Sequence, residues 1–138
     1  MHNENGGRPV ILIAERDRSV RELQLAFLNK AGLAVEFADD GQAALDRVRQ
    51  AAPALLITEI LIPKIDGLTL CRLIRAEAAI SDVPVIVFSI LAAAARADDA
   101  GAAAFLRKPL VESTFLAAIT GVLMNASAVV SARPPHGS

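Results

Sequence analysis

The chain has 138 residues, 54% of them hydrophobic and 21% charged, with 14 basic and 15 acidic side chains and a formal net charge of -1. That is enough chain for one domain with a substantial core; it is too apolar for intrinsic disorder and lacks the basic excess of a nucleic-acid binder. The single cysteine, Cys71, excludes an internal disulfide and a cysteine-rich zinc site. No apolar run reaches the ~20 residues of a membrane span, and the polar N-terminus lacks the apolar stretch of a signal peptide. A cytoplasmic protein with neither membrane nor nucleic acid as partner is expected.

Residues 1–8 read as a flexible arm. Val10 to Ala14 is an unbroken apolar run, the pattern of a strand buried on both faces, and it ends in Glu15-Arg16-Asp17. Ser19, with Glu22 three residues on, forms a capping box for a helix whose apolar stripe is Val20, Leu23, Phe27 and Ala31 and whose end is Gly32. Val35 to Ala38 is short and β-prone. Asp39-Asp40-Gly41 is a turn, and Asp40 is a good N-cap for a helix carrying Ala44, Leu45 and Val48 that Pro53 stops.

Leu55 to Glu59 is the central strand, with an acid at its carboxyl end followed by the Pro63 and Gly67 loop. Leu68, Leu70, Cys71 and Ile74 mark a third helix, with Cys71 on its core side. Val83 to Phe88 is another apolar run, closed by Ser89. Ala92 to Ala100 is an alanine-rich short helix. Ala103 to Leu106 is a short strand ending in Arg107-Lys108-Pro109. Val111 to Met124 carries Phe115, Ile119, Val122 and Leu123 at helical spacing. Residues 125–138 are small, polar and proline-containing, which reads as a disordered tail or linker. His2 and His136 lie in the two tails and suggest no common site.

Strand and helix alternate five times, which predicts an α/β fold with a parallel sheet and helices on both faces. In such a sheet the strand ends point one way, and ligand crevices lie outside their carboxyl ends. That crevice gathers Glu15, Arg16 and Asp17, then Glu59, Ser89 and Lys108. A carboxylate buried there is costly unless paired. Acids at this point suit a hard divalent cation bound through oxygen, and a hydroxyl beside an ammonium suits a phosphoryl group.

The ordered set Ile11-Leu12-Ile13-Ala14-Glu15-Arg16-Asp17, Glu59-Ile60-Leu61-Ile62-Pro63, Asp66-Gly67, Pro84 to Ser89 and Phe105-Leu106-Arg107-Lys108-Pro109-Leu110 resembles the receiver domain of two-component response regulators. The resemblance covers residues 9–124. It implies a CheY-like, flavodoxin-like three-layer α/β/α fold, a doubly wound five-stranded parallel sheet of order 2-1-3-4-5. It also implies Mg-assisted phosphoryl transfer from a histidine kinase to an aspartate. By position Glu59 corresponds to the phosphoacceptor and Glu15 with Arg16 to the paired metal-binding acids. Ser89 and Lys108 correspond to the phosphoryl contacts and Phe105 to the switch aromatic. The family's Lys-Pro peptide, here Lys108-Pro109, is cis.

Two departures carry weight. Glu59 reaches about 1.5 Å further than an aspartate, and a misplacement of about 1 Å can cost ~100-fold in a positioned reaction. Arg16 replaces an acid, and neighbouring Asp17 points elsewhere. The expectation is therefore a pseudo-receiver, not a turnover enzyme, in which Arg16 and Lys108 neutralise Glu59 as a partial phosphomimic. No metal is expected; if one bound, Glu15, Glu59 and the Leu61 backbone would hold it. The output would be contact with a signalling protein, a histidine kinase or downstream effector, or a homodimer through the fourth helix, fifth strand and fifth helix. The alternative is an active, Mg-dependent receiver. A small-ligand binder or hydrolase on the same fold is a third reading, but the chain has neither a Gly-rich phosphate loop nor a nucleophile elbow.

Overall fold

The structure, a computed structural model, describes residues 8–132. In chain order it contains β1 (Val10–Ala14), α1 (Arg18–Lys30), β2 (Ala34–Ala38), α2 (Gly41–Gln50), β3 (Leu55–Thr58), α3 (Gly67–Ala76), β4 (Val85–Ser89), α4 (Ala94–Asp99), β5 (Ala104–Arg107) and α5 (Glu112–Ala132). The sheet order is β2-β1-β3-β4-β5 and every pairing is parallel, as the resemblance implied. Ala14 lies beside Ala38 and Thr58, Thr58 beside Val87, and Ser89 beside Arg107. The carboxyl ends are therefore level, and the residues just past them share one edge.

The apolar runs read as buried strands because helices cover both faces. Successive strand residues point to opposite sides. Leu12, Ala14, Leu56, Val85 and Val87 pack with Val48 of α2, Cys71 and Ile74 of α3, and Ala97 of α4. Ile11, Ile13, Leu55, Ile57, Ile86 and Phe88 pack with Leu28 of α1 and with Phe115 and Ile119 of α5. Cys71 sits inside the first core, and burial pushes its thiol above the ordinary range.

Asp40 caps α2, accepting from the Ala43 amide at 2.7 Å, and Gly32 follows α1 at φ +80°. The start of α1 differs from the expectation. Its cap is Asp17, which accepts from the Val20 amide at 3.1 Å, so Ser19 lies inside the first turn. Aspartate caps as well as serine, and the earlier start leaves only Glu15 to Asp17 between strand and helix. The helix also docks on a different stripe: Gln24 and Leu28 are fully buried while Leu23 is 47% exposed. Arg21 sets that rotation. Its Nε donates to the Glu15 carbonyl, and one guanidinium nitrogen donates to the Ala38 carbonyl at 3.0 Å and the Asp39 carboxylate at 2.9 Å.

The last helix extends past Met124 to Ala132. The chain after Asn125 holds no proline before Pro134, so nothing in its chemistry stops the helix earlier. Residues 1–7 and 133–138, in the expected arm and tail, lie outside the described residues.

Candidate functional site

Glu59 is the first residue beyond β3, its amide donating to the Ala14 carbonyl at 3.0 Å. Glu15 follows β1 directly, Ser89 ends β4, and Lys108 follows β5 with its amide bonded to the Ser89 carbonyl at 2.8 Å. These backbone bonds place four polar side chains at one sheet edge, where three of them are almost completely buried: Glu15 at 2%, Glu59 at 6% and Ser89 at 0% exposure.

The two oxygens of Glu59 have different partners. Oε1 accepts from the Ser89 hydroxyl, from the Ile60 amide at 2.6 Å and from the Leu61 amide at 3.3 Å. Oε2 lies 3.1 Å from the Lys108 ammonium. The same ammonium is 2.9 Å from Glu15 Oε1 and 3.1 Å from Glu15 Oε2, and it sits 5.4 Å from the centre of the Phe88 ring. The Asp17 amide donates to Glu15 Oε2 at 3.1 Å. Burial works against the charged form of Glu59, but the Ser89 hydroxyl, the Lys108 ammonium and the Leu61 amide outweigh it. Its carboxyl is held below the ordinary range. Burial likewise works against charged Lys108, and the bonds to Glu15 and Glu59 outweigh it, raising its pKa.

The loop that supplies the two amides is braced by its backbone. Gly67 lies against the Glu59 carbonyl, and a Cβ there would collide with it; a Cβ on Gly41 would collide with the Ile65 carbonyl. The Gly41 amide donates to the Pro63 carbonyl, and the Gly67 amide to the Ile60 carbonyl, at 3.0 and 2.9 Å. Asp66 caps α3, accepting from the Leu68 and Thr69 amides at 2.9 Å each. Lys64 holds the left-handed conformation at φ 71° that turns the loop.

The structure brings Glu15, Glu59, Ser89 and Lys108 together and leaves Arg16 out. Arg16 is exposed on the cleft wall, and among the described residues it has no ion pair with Glu59. The expectation that it shares the neutralisation of Glu59 is corrected. Successive residues leave a strand on opposite sides, and the long guanidinium chain extends into water more cheaply than into a site already filled by Lys108. The Asp17 carboxylate is turned to the Val20 amide of its own helix. Phe105, half-buried, packs on the α2–α4 face of the sheet and lines a groove with Ala94, Ala97 and Asp98. The Lys108-Pro109 peptide is cis, as the resemblance implied.

The donor set fits magnesium poorly. Mg demands near-octahedral oxygen ligands. Here Glu15 and Glu59 share an ammonium between them, the exposed Arg16 supplies no oxygen ligand, and Asp17 faces its own helix. Among the described residues no group of three His, Cys, Asp or Glu side chains is placed to hold a metal.

The sequence reading missed the Ile60 and Leu61 amides as partners of Glu59. It also missed Arg21, and it placed Gly41 and Gly67 in turns without their close approach to the Ile65 and Glu59 carbonyls. The Asp66-Gly67 pair before an apolar periodic run was the available signal for a capped helix start; nothing marked Arg21 as the residue that joins the tips of β1 and β2.

A five-stranded sheet in this order, with acids, a hydroxyl and a lysine on its carboxyl edge, defines a phosphorelay receiver fold. The family model for the response regulator receiver domain matches residues 11–120, and the chain belongs to that family of two-component signalling domains. It is 34% identical over 116 residues to the response regulator MprA of Mycobacterium avium (strain 104), a match covering 82% of this chain and 50% of that protein. The chain spans about half the length of the curated relatives it matches. Among solved structures, the signal receiver domain of a signal transduction histidine kinase from Syntrophus aciditrophicus is similar at TM-score 0.79 and 27% identity, covering 85% of this chain and 91% of that one. The chemotaxis response regulator CheY4 of Vibrio cholerae shares the fold at TM-score 0.77 and 23% identity, covering 83% and 98%. Among the described residues no helix is long and apolar enough to cross a membrane.

Proposed function

We propose that this receiver domain is a pseudo-receiver that signals by protein contact, with Glu59 standing in for a phosphorylated aspartate. The observation that carries the reading is the position of the Glu59 carboxylate. Its oxygens are bonded to Ser89, Lys108 and the Ile60 and Leu61 amides. Ser89 and Lys108 are the residues whose positions correspond to the phosphoryl contacts, so the glutamate already fills the anion-binding half of the cleft. The longer side chain makes this reach possible. The mimicry is partial, since one negative charge replaces the ≈ 1.5 to 2 that a phosphate adds.

In this reading the domain works without a bound metal, turns over no substrate and acts in the cytoplasm. Its partner is a signalling protein, a histidine kinase or a downstream effector, or a second copy engaged through α4, β5 and α5. Phe105, in the groove between α4 and β5, is the residue through which the state of the cleft reaches that side.

The test is to incubate the chain with a small-molecule phosphodonor and magnesium and weigh the intact protein. An unchanged mass is expected. A phosphoryl adduct on most chains, lost in Glu59→Ala, would instead establish an active acceptor.

A further inference from the structure

The floor of the cleft does not balance its own charge. The side chains of Glu15 and Glu59 are 3% and 7% exposed, and one ammonium, that of Lys108, stands between them. Glu59 Oε1 is satisfied by the Ser89 hydroxyl and two amides, and Glu15 Oε2 by the Asp17 amide and Lys108. Glu15 Oε1 is different. It lies 2.9 Å from the Lys108 ammonium, yet it is buried and accepts no hydrogen bond among the described residues. Arg16, exposed on the same cleft, makes no ion pair with either carboxylate among the described residues. A buried carboxylate without its own counter-charge is costly, so the floor is one positive charge short.

The way in to that floor is apolar. Leu61 and Ile90 line the cleft with Glu15 and Glu59, and they are 54% and 57% exposed. Two large aliphatic side chains thus stand in water at a space of about 420 Å³. Both sit on fixed backbone. The Leu61 amide is bonded to Glu59 Oε1 at 3.3 Å. The Ile90 carbonyl accepts from Arg107 Nε at 2.9 Å, and the next amide, that of Leu91, donates to the Ser89 hydroxyl oxygen at 3.2 Å. Fixed aliphatic groups along the cleft and an unbalanced carboxylate on its floor suit a long side chain with an apolar stem and a cationic head.

We propose that an arginine of a partner protein enters this cleft, its methylene stem against Leu61 and Ile90 and its guanidinium on Glu15 Oε1. Arginine fits better than lysine, because a guanidinium is more weakly hydrated than an ammonium and gives up less on leaving water. Its fork of donors also matches a carboxylate. An acidic partner residue drawn to Arg16 would leave Glu15 Oε1 unmet, and magnesium would need oxygen ligands that the floor lacks. The arginine names what reads the cleft, and it rests on the reading of Glu59 as an unmodified side chain in a protein-contact site.

Titration of the full chain, methyl-labelled at leucine and isoleucine, with N-acetylarginine amide tests it by NMR. The Leu61 and Ile90 methyl signals should shift together and saturate, with a dissociation constant of about 1–10 mM that rises with added salt. Glu15→Gln should raise that constant by about tenfold or more. Leu61→Ser, at an exposed position that the fold does not need, should raise it by less. N-acetylnorleucine amide, which keeps a stem and lacks the charge, should leave the signals in place. Equal shifts with that uncharged probe overturn the proposal, as does the absence of a saturable shift with the arginine probe up to ~100 mM, or unchanged binding in both variants. The same shifts from N-acetylaspartate amide or from magnesium chloride also overturn it, assigning the cleft to an acid at Arg16 or to a metal. Intact mass after phosphodonor and magnesium decides the reading of Glu59 separately: an unlabelled chain that ignores the arginine probe overturns the partner and leaves that reading standing.

Discussion

The two walls of the cleft have opposite fates. The wall built from β3, β4 and β5 keeps a hydroxyl, an ammonium and two loop amides, and all four are engaged by one carboxylate, Glu59. The wall built from β1 keeps a single buried acid, Glu15, flanked by an exposed arginine and by an aspartate spent on a helix cap. The β3–β5 half is filled by the Glu59 carboxylate, whereas the β1 half offers one buried carboxylate, that of Glu15. Lys108 places one ammonium between two buried carboxylates. One cation from the chain thus faces carboxylates from both walls.

The largest expected effect comes from placing a second acid on the β1 wall. The double variant Arg16→Asp with Glu59→Asp restores an acid pair and draws the acceptor back, so phosphodonor plus magnesium should label most chains, read by intact mass. Labelling of Arg16→Asp alone would show that the length of Glu59 is no obstacle and would break the contrast between the walls.

Removing the shared cation comes next. Lys108→Met leaves two buried carboxylates facing each other, and loss of one partner of a buried pair costs about 3–5 kcal/mol. Urea unfolding at neutral pH should show a loss of that order. A loss under ~1 kcal/mol would place the carboxylates in an environment more like that of surface pairs.

Acid should erase a smaller difference. Because the folded-state pKa of Glu59 is lowered, its contribution is full above the unfolded value of about 4.3 and disappears as pH falls through the folded value. The stability gap between wild type and Glu59→Gln, followed by urea titration, should close across that window. Lys108, raised in the folded state, behaves oppositely: its contribution is full below about 10.4 and is lost as pH rises through the folded value. The smallest effect is expected of Asp17→Ala. It removes a helix cap at about 1 kcal/mol, and thermal melts should show that loss with the Glu59 acid response unchanged, assigning Asp17 to α1 and not to the cleft.

Much of this was legible in the chain. Continuous apolar runs gave the central strands because each is buried on two faces, and the acids, Ser89 and Lys108 fell at the sheet edge because they follow those runs directly. What escaped has a physical cause in each case. Arg16 was expected inside because its position suggested it, yet side-chain direction at a strand end depends on backbone twist that composition does not encode. The start of α1 went to Ser19 because a capping box is a local pattern, whereas Arg21 reaches across to β2 and turns the helix from outside that pattern. The same rotation buries Gln24 with its amide unpaired among the described residues, a choice no local preference favours. The amides on Glu59 were invisible because backbone groups belong to every residue alike; only the folded loop selects two of them.

Gly67 has a consequence beyond its own turn. Because α3 rests directly on the carbonyl of residue 59, the peptide groups that follow are aimed before any side chain arrives. The cradle is therefore a property of the main chain, set before the side chain at position 59 is chosen. Swapping the acid changes how far a charge reaches; replacing the glycine would move the ground on which every such charge stands.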